Sequence, residues 1–457
     1  MFRAEFQDKI IISNKTGKDL ILARLLNFIY NLLIRIKQEL RKIMGKIFKK
    51  ICEKYNDTSL IVRIVIGIIL GLGLAFIFPH SSWINVFGNL FVGALKAIAP
   101  ILVFVLVISS LTQGDNKPDR RFARVIFFYI TTTLLSAICA VAASFLFPQN
   151  LVLTEAQTQS VPTGIGEVIH NVLLNVVVNP LASLTEGNYL GILFWAIIFG
   201  IALKNIASDT TKQMLSDFSQ CITYAVRWVI NLAPFGIMGL VYAAVSSNGS
   251  DIFAVYGKMI LMLAGCMAFV FFVSNPVVVF LALRKNPYPL IFKCFKESGI
   301  TAFFTRSSAA NIPINMTLCE KLGLDKDMYS VSIPLGATIN MNGAAITITV
   351  MTLAAVNTLG IPVDIPTSFV LSVLATFAAC GASGVAGGSL LLIPMACSLF
   401  GISNDIAMQV VGVGFIIGVI QDSLETALNS SSDVVFTATA EFRQWIKDGK
   451  ELPEIIK

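Results

Sequence analysis

The segment QDSLETALNSSSD, residues 421–433, places acids and amides inside an apolar stretch near the end of the chain. On a helix, residues spaced at i, i+4, i+7 and i+11 fall within roughly 60° of one another on one face, and here they are Asp422, Thr426, Asn429 and Asp433. Glu425 flanks the same stripe. A carboxylate at the centre of a bilayer costs a few kcal/mol when it is unpaired. Three of them on one helix face therefore indicate a functional site.

Three further polar interruptions precede this segment: TRSSAANIP (305–313), GATINMNGAA (336–345) and CGASGVAGGS (380–389). The four form two similar pairs, each a broken or hairpin-like apolar segment with a Ser- or Gly-rich tip followed by a helix with polar residues at mid-depth. Irregular backbone at membrane depth is tolerated only where it is buried in protein or lines a wet cavity. Paired broken segments predict a transporter binding site built from an internal repeat.

The rest of the chain is typical of a helical membrane protein. Of its 457 residues 55% are hydrophobic and only 13% are charged, whereas soluble domains are about 25% charged. Apolar runs comparable to the roughly 20 residues that cross a bilayer predict six spans before residue 290: 60–78, 83–111, 122–147, 187–204, 222–245 and 254–283.

The distribution of charge predicts the orientation of the chain. The chain's net charge of +7 comes from the basic segment 1–56, which holds 13 Lys/Arg and 5 Asp/Glu, so it does not indicate a nucleic-acid partner. This segment is either an amphipathic extension on the cytoplasmic membrane surface or a poorly ordered extension without a role. Basic residues fill the loop 113–124 and are absent from Val125 to Leu203, which predicts a cytoplasmic N-terminus and an external loop at 148–186.

The residue types in the four polar interruptions predict that the solute is an amino acid, with one positive and one negative end. Arg306 is the one evident cation there, and one arginine cannot neutralise three acids, although Glu425 alone could pair with it. A zwitterionic solute and bound cations would supply the remaining charge. The oxygens around Asn340 and Asn342 are hard ligands that suit Na⁺, and a helix N-terminus near Ser307 and Ser308 would present N–H groups to a carboxylate.

Taken together, the four motifs resemble those of the dicarboxylate/amino acid:cation symporter family, which includes the glutamate transporters. The resemblance covers about residues 57–440 and is strongest in TRSSAANIP, PLGATINMNG and the polar final helix. It is closest to the sodium-coupled carriers of serine and threonine within that family. The implied fold is all-α and polytopic, with about eight transmembrane helices, two re-entrant helical hairpins and inverted repeats.

The resemblance also implies a domain organisation and an assembly. A homotrimer in the bacterial inner membrane, in contact with lipid, would hold scaffold helices within 57–253 and a transport domain within 254–440 that moves as an elevator. The span 122–147 would join the transport domain, and 441–457 would be a cytoplasmic tail. Within the transport domain the resemblance places hairpins at about 290–320 and 367–400, and helices at about 331–358 and 408–440.

For the substrate, the resemblance implies that Asp422 holds the amino group and that the first hairpin tip binds the carboxylate. Its full set of substrate contacts is Ser307, Ser308, Ala382, Asp422, Glu425, Thr426 and Asn429. Co-transported sodium would occupy three sets of oxygens. The first comprises Gly336, Asn340, Asn429 and Asp433; the second comprises Thr338, Thr376, Phe377 and Ala379; the third comprises Tyr129, Thr132, Thr133, Asn340 and Asn342.

Two departures from the family pattern change the expected activity. Members that carry acidic substrates place an arginine where this chain has Glu425, and an acid there would repel a substrate carboxylate. The sequence therefore predicts a neutral substrate, most simply serine or threonine. The third sodium set has Asn342 where an aspartate is usual, and the missing charge predicts fewer coupled ions.

Other functions are less compatible with these residues. A proton-coupled amino acid or dicarboxylate carrier of the same fold would use Glu425 as its proton site, and a channel would give unsaturable flux. An enzyme is disfavoured because the chain lacks G-x-S-x-G and H-E-x-x-H motifs. His80 and His170 are far from the polar cluster, and the eight cysteines show no metal-ligand spacing.

Overall fold

The computed structural model describes residues 58–79, 81–112, 120–153, 177–249, 252–380 and 387–453, together with Tyr30, Asn31, Arg35 and Tyr55. Within these residues every regular element is a helix. Several predictions lie wholly or largely outside the described residues: most of the basic extension 1–56, most of the basic loop 113–124, the centre of the loop 148–186, and most of the interruption 380–389 with the contact assigned to Ala382.

Eight helices come from the described part of the chain before residue 284. They are α1 Leu60–Ile77, α2 Asn85–Thr112, α3 Arg120–Leu146, α4 Pro180–Glu186, α5 Tyr189–Ile206, α6 Asp209–Asn231, α7 Ala233–Asn248 and α8 Ile252–Leu283. The span predicted at 222–245 is not one straight helix, since α6 and α7 meet there at a bend of 51°. Pro234 in the first turn of α7 explains the break, because proline is favourable at a helix start and unfavourable in a helix interior.

The second half of the described chain contains shorter helices followed by one long helix. They are α9 (288–305, with a π turn at Phe295–Gly299), α10 Ser308–Lys321, α11 Lys326–Ile339, α12 Asn342–Thr358, α13 Ile365–Ala379, α14 Ile393–Ser398 and α15 Asn404–Lys447. The final helix is longer than the predicted 408–440, so the segment expected to be a tail begins as helix.

Five helices of the described chain are long and apolar enough to cross a membrane, or six if α6 and α7 count as one span. Four shorter apolar helices accompany them, at Val62–Ile77, Gly191–Ile206, Ile365–Ala379 and Ser389–Ser398. The chain is therefore a multi-pass helical membrane protein. The predicted total of about eight transmembrane helices stays a prediction.

Helices α1, α2, α5, α6 and α7 form a first packing group, here called the glycine-packed group. A Cβ added to Gly67 would lie 2.3 Å from the carbonyl oxygen of Pro234, and one added to Gly71 would lie 2.4 Å from that of Met238. Helices α1 and α7 thus approach backbone to backbone, as small residues allow in membrane helices.

Helices α3 and α8–α15 form a second group, here called the polar-packed group, around α12 and α15. Helix α3 packs against α11, α12, α13 and α15, although in sequence it lies between two members of the glycine-packed group. Fifteen consecutive residues of α12, from Asn342 to Val356, are buried. Side chains on every face of α12 are therefore enclosed by neighbouring helices.

Two breaks in the polar-packed group bring helix ends into its interior. Between α9 and α10, Arg306 adopts a left-handed conformation (φ 51°) and Ser307 caps α10 by accepting a hydrogen bond from Ala310 N. Between α11 and α12, helical geometry is interrupted at Asn340 and Met341. Both breaks fall inside the predicted interruptions 305–313 and 336–345.

Candidate functional site

The polar stripe of α15 is enclosed by other helices. Its side chains are only 1–6% exposed: Asp422, Glu425, Thr426, Asn429 and Asp433. A buried charge needs a partner or hydrogen bonds that replace water. The contacts of each acid therefore decide what this part of the molecule can bind.

Asp422 forms the charged end of the stripe. Its Oδ2 accepts a hydrogen bond of 2.6 Å from Arg306 Nε, and both side chains are less than one-tenth exposed. Its Oδ1 accepts a longer bond, 3.3 Å, from the backbone N–H of Gly387. Ser308, in the first turn of α10, is buried close to Arg306 in sequence. Asp422 therefore contacts the break between α9 and α10, next to the N-terminus of α10.

Glu425 is held by neutral donors. Its Oε2 accepts hydrogen bonds of 2.9 Å from both Thr347 Oγ1 and Ser389 Oγ, and another from Gln421 Nε2. Gln421 also donates to Thr347, at 2.8 Å, which links the donors to each other. The alternative pairing of Glu425 with Arg306 is wrong, because Arg306 contacts Asp422 instead.

Asn429 connects the stripe to the start of α12. Its Oδ1 accepts a 2.7 Å hydrogen bond from Gly343 N, which satisfies one of the free N–H groups of that helix, and its Nδ2 lies 3.4 Å from the Met341 sulfur. Thr426 donates to the carbonyl of Asp422 within its own helix, at 2.7 Å. Its hydroxyl oxygen keeps capacity to accept a further hydrogen bond.

The first predicted sodium set is brought together. Asn340 Nδ2 donates to Asp433 Oδ1 at 2.8 Å and to the carbonyl of Asn429 at 3.2 Å. A Cβ on Gly336 would lie 2.7 Å from Asp433 Oδ1, so only glycine fits beside this carboxylate. Asn340 Oδ1 and Asp433 Oδ2 are fully buried and have no hydrogen-bond partner among the described residues. Unpaired buried oxygens of this kind are the ligands that a desolvated Na⁺ requires.

The second predicted set consists of carbonyls near two helix C-termini. Thr338 is in the last turn of α11, and Thr376, Phe377 and Ala379 are in the last turn of α13. The two ends meet where Cys380 Sγ lies 3.6 Å from the carbonyl of Ile339. The last carbonyls of a helix lack intrahelical partners and carry partial negative charge, so this junction attracts a cation.

Four members of the third predicted set are brought together, namely Tyr129, Thr132, Thr133 and Asn342, whereas the Asn340 amide donates within the first set. Thr133 Oγ1 lies 3.1 Å from Asn342 Oδ1, and Thr132 is buried one residue away. The Tyr129 carbonyl accepts hydrogen bonds from Thr132 Oγ1 at 3.3 Å and Thr133 Oγ1 at 2.7 Å. The Tyr129 hydroxyl reaches the first set, since it donates to the carbonyl of Asp433 at 3.1 Å. Asn342 Nδ2 is buried, and no acceptor for it occurs in the part of the chain that the structure describes. An N–H donor presented to this space opposes cation binding.

Several contact residues were not predicted from the sequence. Thr347, Ser389 and Gln421 surround Glu425, and Ser432 contacts Asn340 at 2.9 Å. A separate buried network joins α9, α10 and α15, in which Asn311 and Asn315 both hydrogen-bond to Ser430. The sequence did contain one signal for two of these contact residues, because Gln421 and Ser430 lie inside the polar segment 421–433.

Buried acids, free amide oxygens and helix ends converge in the interior of a multi-pass membrane protein, and this combination is characteristic of a secondary transporter. The chain belongs to the sodium:dicarboxylate symporter family, which matches residues 60–441.

Three similar curated proteins carry the same name. The serine/threonine transporter SstT of Bifidobacterium adolescentis is 62% identical over 399 residues, which cover 87% of this chain and 93% of the relative. The transporter of the same name from Streptococcus agalactiae is 59% identical over 386 residues, covering 84% and 96%. That from Streptococcus thermophilus is 54% identical over 394 residues, covering 86% and 98%.

Proposed function

We propose that the chain carries serine and threonine into the cell together with sodium. The observation that carries the proposal is the environment of Glu425, a buried acid beside the amino-group site that is held by three neutral donors. An acid at this position excludes a second carboxylate on the substrate. The names of the relatives agree with a neutral hydroxylated amino acid.

In this proposal the substrate lies along the α15 stripe. Its amino group binds Asp422 and takes the place of one contact that Arg306 makes now, and its carboxylate binds the N-terminus of α10 at Ser307 and Ser308. Thr426 and Asn429 contribute polar contacts, and Ala382 a backbone contact. Helix N-termini favour anions because their first N–H groups are free and the helix dipole is positive there.

Sodium would bind to the three sets of oxygens in decreasing order of suitability. The first set has a carboxylate, Asp433, and two unpaired buried oxygens; the second has helix C-termini; the third lacks an acid. Each net charge carried inward gains about 2.3 kcal/mol per 100 mV of membrane potential. One sodium ion with a zwitterion is therefore enough to drive accumulation.

The proposed movement is that of an elevator within a homotrimer in the bacterial inner membrane, surrounded by lipid. The polar-packed group would be the transport domain, with α9–α10 and α13–α14 as re-entrant hairpins related by an inverted repeat. The glycine-packed group would be the scaffold, and the N-terminus would be cytoplasmic. The division is supported by the packing of α3 with the later helices.

Uptake into proteoliposomes tests the proposal. Labelled L-serine should accumulate with saturable kinetics when an inward sodium gradient is imposed, and unlabelled threonine should compete whereas aspartate should not. Efficient aspartate uptake would contradict the neutral substrate. Accumulation driven by a proton gradient without sodium would favour the proton-coupled carrier, and unsaturable flux would favour a channel.

A further inference from the structure

We propose that Thr437 and Ser332 are positioning residues for sodium, because they hold the Tyr129 hydroxyl as a donor to the backbone carbonyl of Asp433. Neither residue belongs to any of the three predicted sodium sets. The inference rests on the proposed function, since it assigns a role in binding the co-transported ion to two side chains that do not contact it.

The hydroxyl groups of Tyr129, Ser332 and Thr437 meet in the interior of the polar-packed group and are here called the hydroxyl cluster. Helices α3, α11 and α15 contribute one hydroxyl each. Thr437 Oγ1 lies 3.1 Å from the Tyr129 hydroxyl and 3.0 Å from Ser332 Oγ. All three side chains are completely buried, so each hydroxyl needs a hydrogen-bond partner that replaces water, and it finds one in a neighbouring helix.

Thr437 departs from the usual behaviour of a buried threonine in a helix. Such a threonine commonly donates to the backbone carbonyl four residues earlier, as Thr426 and Thr439 do in the same helix, both at 2.7 Å. The carbonyl four residues before Thr437 is that of Asp433, and it accepts a hydrogen bond of 3.1 Å from the Tyr129 hydroxyl instead. The hydroxyl hydrogen of Thr437 is thus left for the hydroxyl cluster.

One direction of the hydrogen bonds satisfies every donor of the hydroxyl cluster. Each hydroxyl has one hydrogen to donate and lone pairs that accept. When Ser332 donates to Thr437 and Thr437 donates to Tyr129, the hydrogen of Tyr129 is left for two carbonyls. These are the carbonyls of Asp433 and Ser332, at 3.1 and 3.2 Å. In the opposite direction the Ser332 hydroxyl has no acceptor among the described residues, and the Asp433 carbonyl loses its donor.

The hydroxyl cluster adjoins the first sodium set at Gly336. A Cβ added to Gly336 would lie 2.7 Å from Asp433 Oδ1 and 2.8 Å from the Tyr129 hydroxyl oxygen, so both groups pack on the same glycine. The bond from Tyr129 to the Asp433 carbonyl holds the turn of α15 that carries this carboxylate, while Asn340 donates to the carboxylate itself. Outer partners that orient a metal ligand raise the affinity for the metal, and their loss typically lowers it about 10–100-fold.

The experiment measures serine binding to the purified full chain by titration calorimetry over a series of sodium concentrations. Its two readouts are the sodium concentration at which the serine affinity is half-maximal, here called the sodium midpoint, and the serine affinity at saturating sodium. In Thr437→Val the sodium midpoint should rise about tenfold, whereas the serine affinity at saturating sodium should change less than about threefold. Thr437→Ser retains the hydroxyl and should keep the midpoint within about threefold of the wild type.

Thr439→Val is the matched control. Thr439 is a completely buried threonine of the same helix whose hydroxyl donates to the carbonyl of Val435 at 2.7 Å, so the change removes a hydrogen bond within one helix only. The sodium midpoint of this variant should equal that of the wild type. An equal rise in Thr439→Val or in Thr437→Ser, or an unchanged midpoint in Thr437→Val, would overturn the role of the hydroxyl cluster.

Ser332→Ala tests the same role from α11 and protects the test against misfolding of Thr437→Val. It removes the first donor of the cluster and should raise the sodium midpoint severalfold. The double variant should show little further rise, because residues of one hydrogen-bond network have non-additive effects. An unchanged midpoint in Ser332→Ala, or rises that add in the double variant, would contradict the proposal. If the wild-type chain showed no sodium-dependent serine binding at all, the proposed function itself would fail.

Discussion

The glycine-packed and polar-packed groups are held together by different interactions, although both lie in one apolar chain. In the first, α1 and α7 meet where Gly67 and Gly71 face the carbonyls of Pro234 and Met238. In the second, α12 and α15 meet through hydrogen bonds of buried acids, amides and hydroxyls, among them Asn340 to Asp433. Lipid is as apolar as leucine, so close backbone contact stabilises helix pairs where hydrophobicity cannot.

The two kinds of helix contact differ in the binding groups that they leave available. Backbone contact through glycine fixes the geometry with which α1 and α7 meet. A buried polar interface is stable only when its groups are satisfied, and Asn340 Oδ1 and Asp433 Oδ2 are not satisfied by protein atoms in the described chain. Unpartnered buried polar atoms also occur in the glycine-packed group, at Asn85 and Ser246. What distinguishes the polar-packed group is a buried carboxylate, Asp433, next to such an oxygen, and this is why we propose that ions and substrate bind there.

The largest expected effect is that of Asp422→Asn. This change leaves Arg306 buried without its carboxylate, and breaking a buried pair from one side costs about 3–5 kcal/mol. It also removes the acid proposed to hold the substrate amino group. We expect sodium-dependent serine binding, measured by titration calorimetry of the purified protein, to weaken at least about 100-fold.

Asp405→Asn provides the control for this prediction. Asp405 is an exposed acid in the first turn of the same helix that pairs with Lys96, and exposed pairs contribute only about 0–1 kcal/mol. Serine affinity should therefore change less than about threefold. Equal losses in the two variants, or unchanged binding in Asp422→Asn, would show that the buried pair is not part of the binding site.

A smaller effect is expected from Gly71→Ala in the glycine-packed group. The new methyl group would lie 2.4 Å from the Met238 carbonyl oxygen, so α1 and α7 would have to separate. Overpacking of this kind costs about 1–3 kcal/mol and should lower the apparent Tm in detergent. Serine affinity of the remaining folded protein should be unchanged, because Gly71 belongs to the other group.

Gly73→Ala is the matched control on the same helix, since a Cβ there meets nothing within 4 Å. Its apparent Tm should equal that of the wild type or exceed it, because alanine favours helix by up to about 1 kcal/mol over glycine. A Tm loss in Gly73→Ala as large as that in Gly71→Ala would refute backbone contact as the cause.

Local patterns were sufficient to predict much of the site. The spacing of Asp422 and Asp433 predicted one buried face, and the sequence NMNG predicted the break at Asn340 and Met341. The bend between α6 and α7 was missed because hydropathy continues through it, although Pro234 was visible. Charge, periodicity and helix breakers are properties of neighbouring residues, so a sequence reports them directly.

The partners of the acids were not predictable in the same way. Glu425 receives hydrogen bonds from Thr347 and Ser389, which lie 78 and 36 residues away. Threonine and serine are common in apolar helices, where they bond to their own backbone, so neither stands out as a donor to a distant acid. The packing of the helices likewise decides that Arg306 forms its ion pair with Asp422 and not with Glu425.

The smallest predicted effect tests the third sodium set, where the polar-packed group lacks an acid. In Asn342→Asp the unpartnered Nδ2 becomes an oxygen, while Thr133 remains 3.1 Å from the position of Oδ1. A unit charge near a bound cation contributes up to about 4 kcal/mol at an effective dielectric constant of 20, and desolvation of the new carboxylate offsets most of it. We expect a gain of about tenfold in sodium affinity and a higher sodium-to-serine ratio, read from the reversal potential of uptake.

Asn357→Asp, at the exposed end of the same helix, should change neither quantity. An unchanged ratio in Asn342→Asp would mean that a missing charge is not what limits this set, and that the buried donor is only one of several obstacles to a cation there.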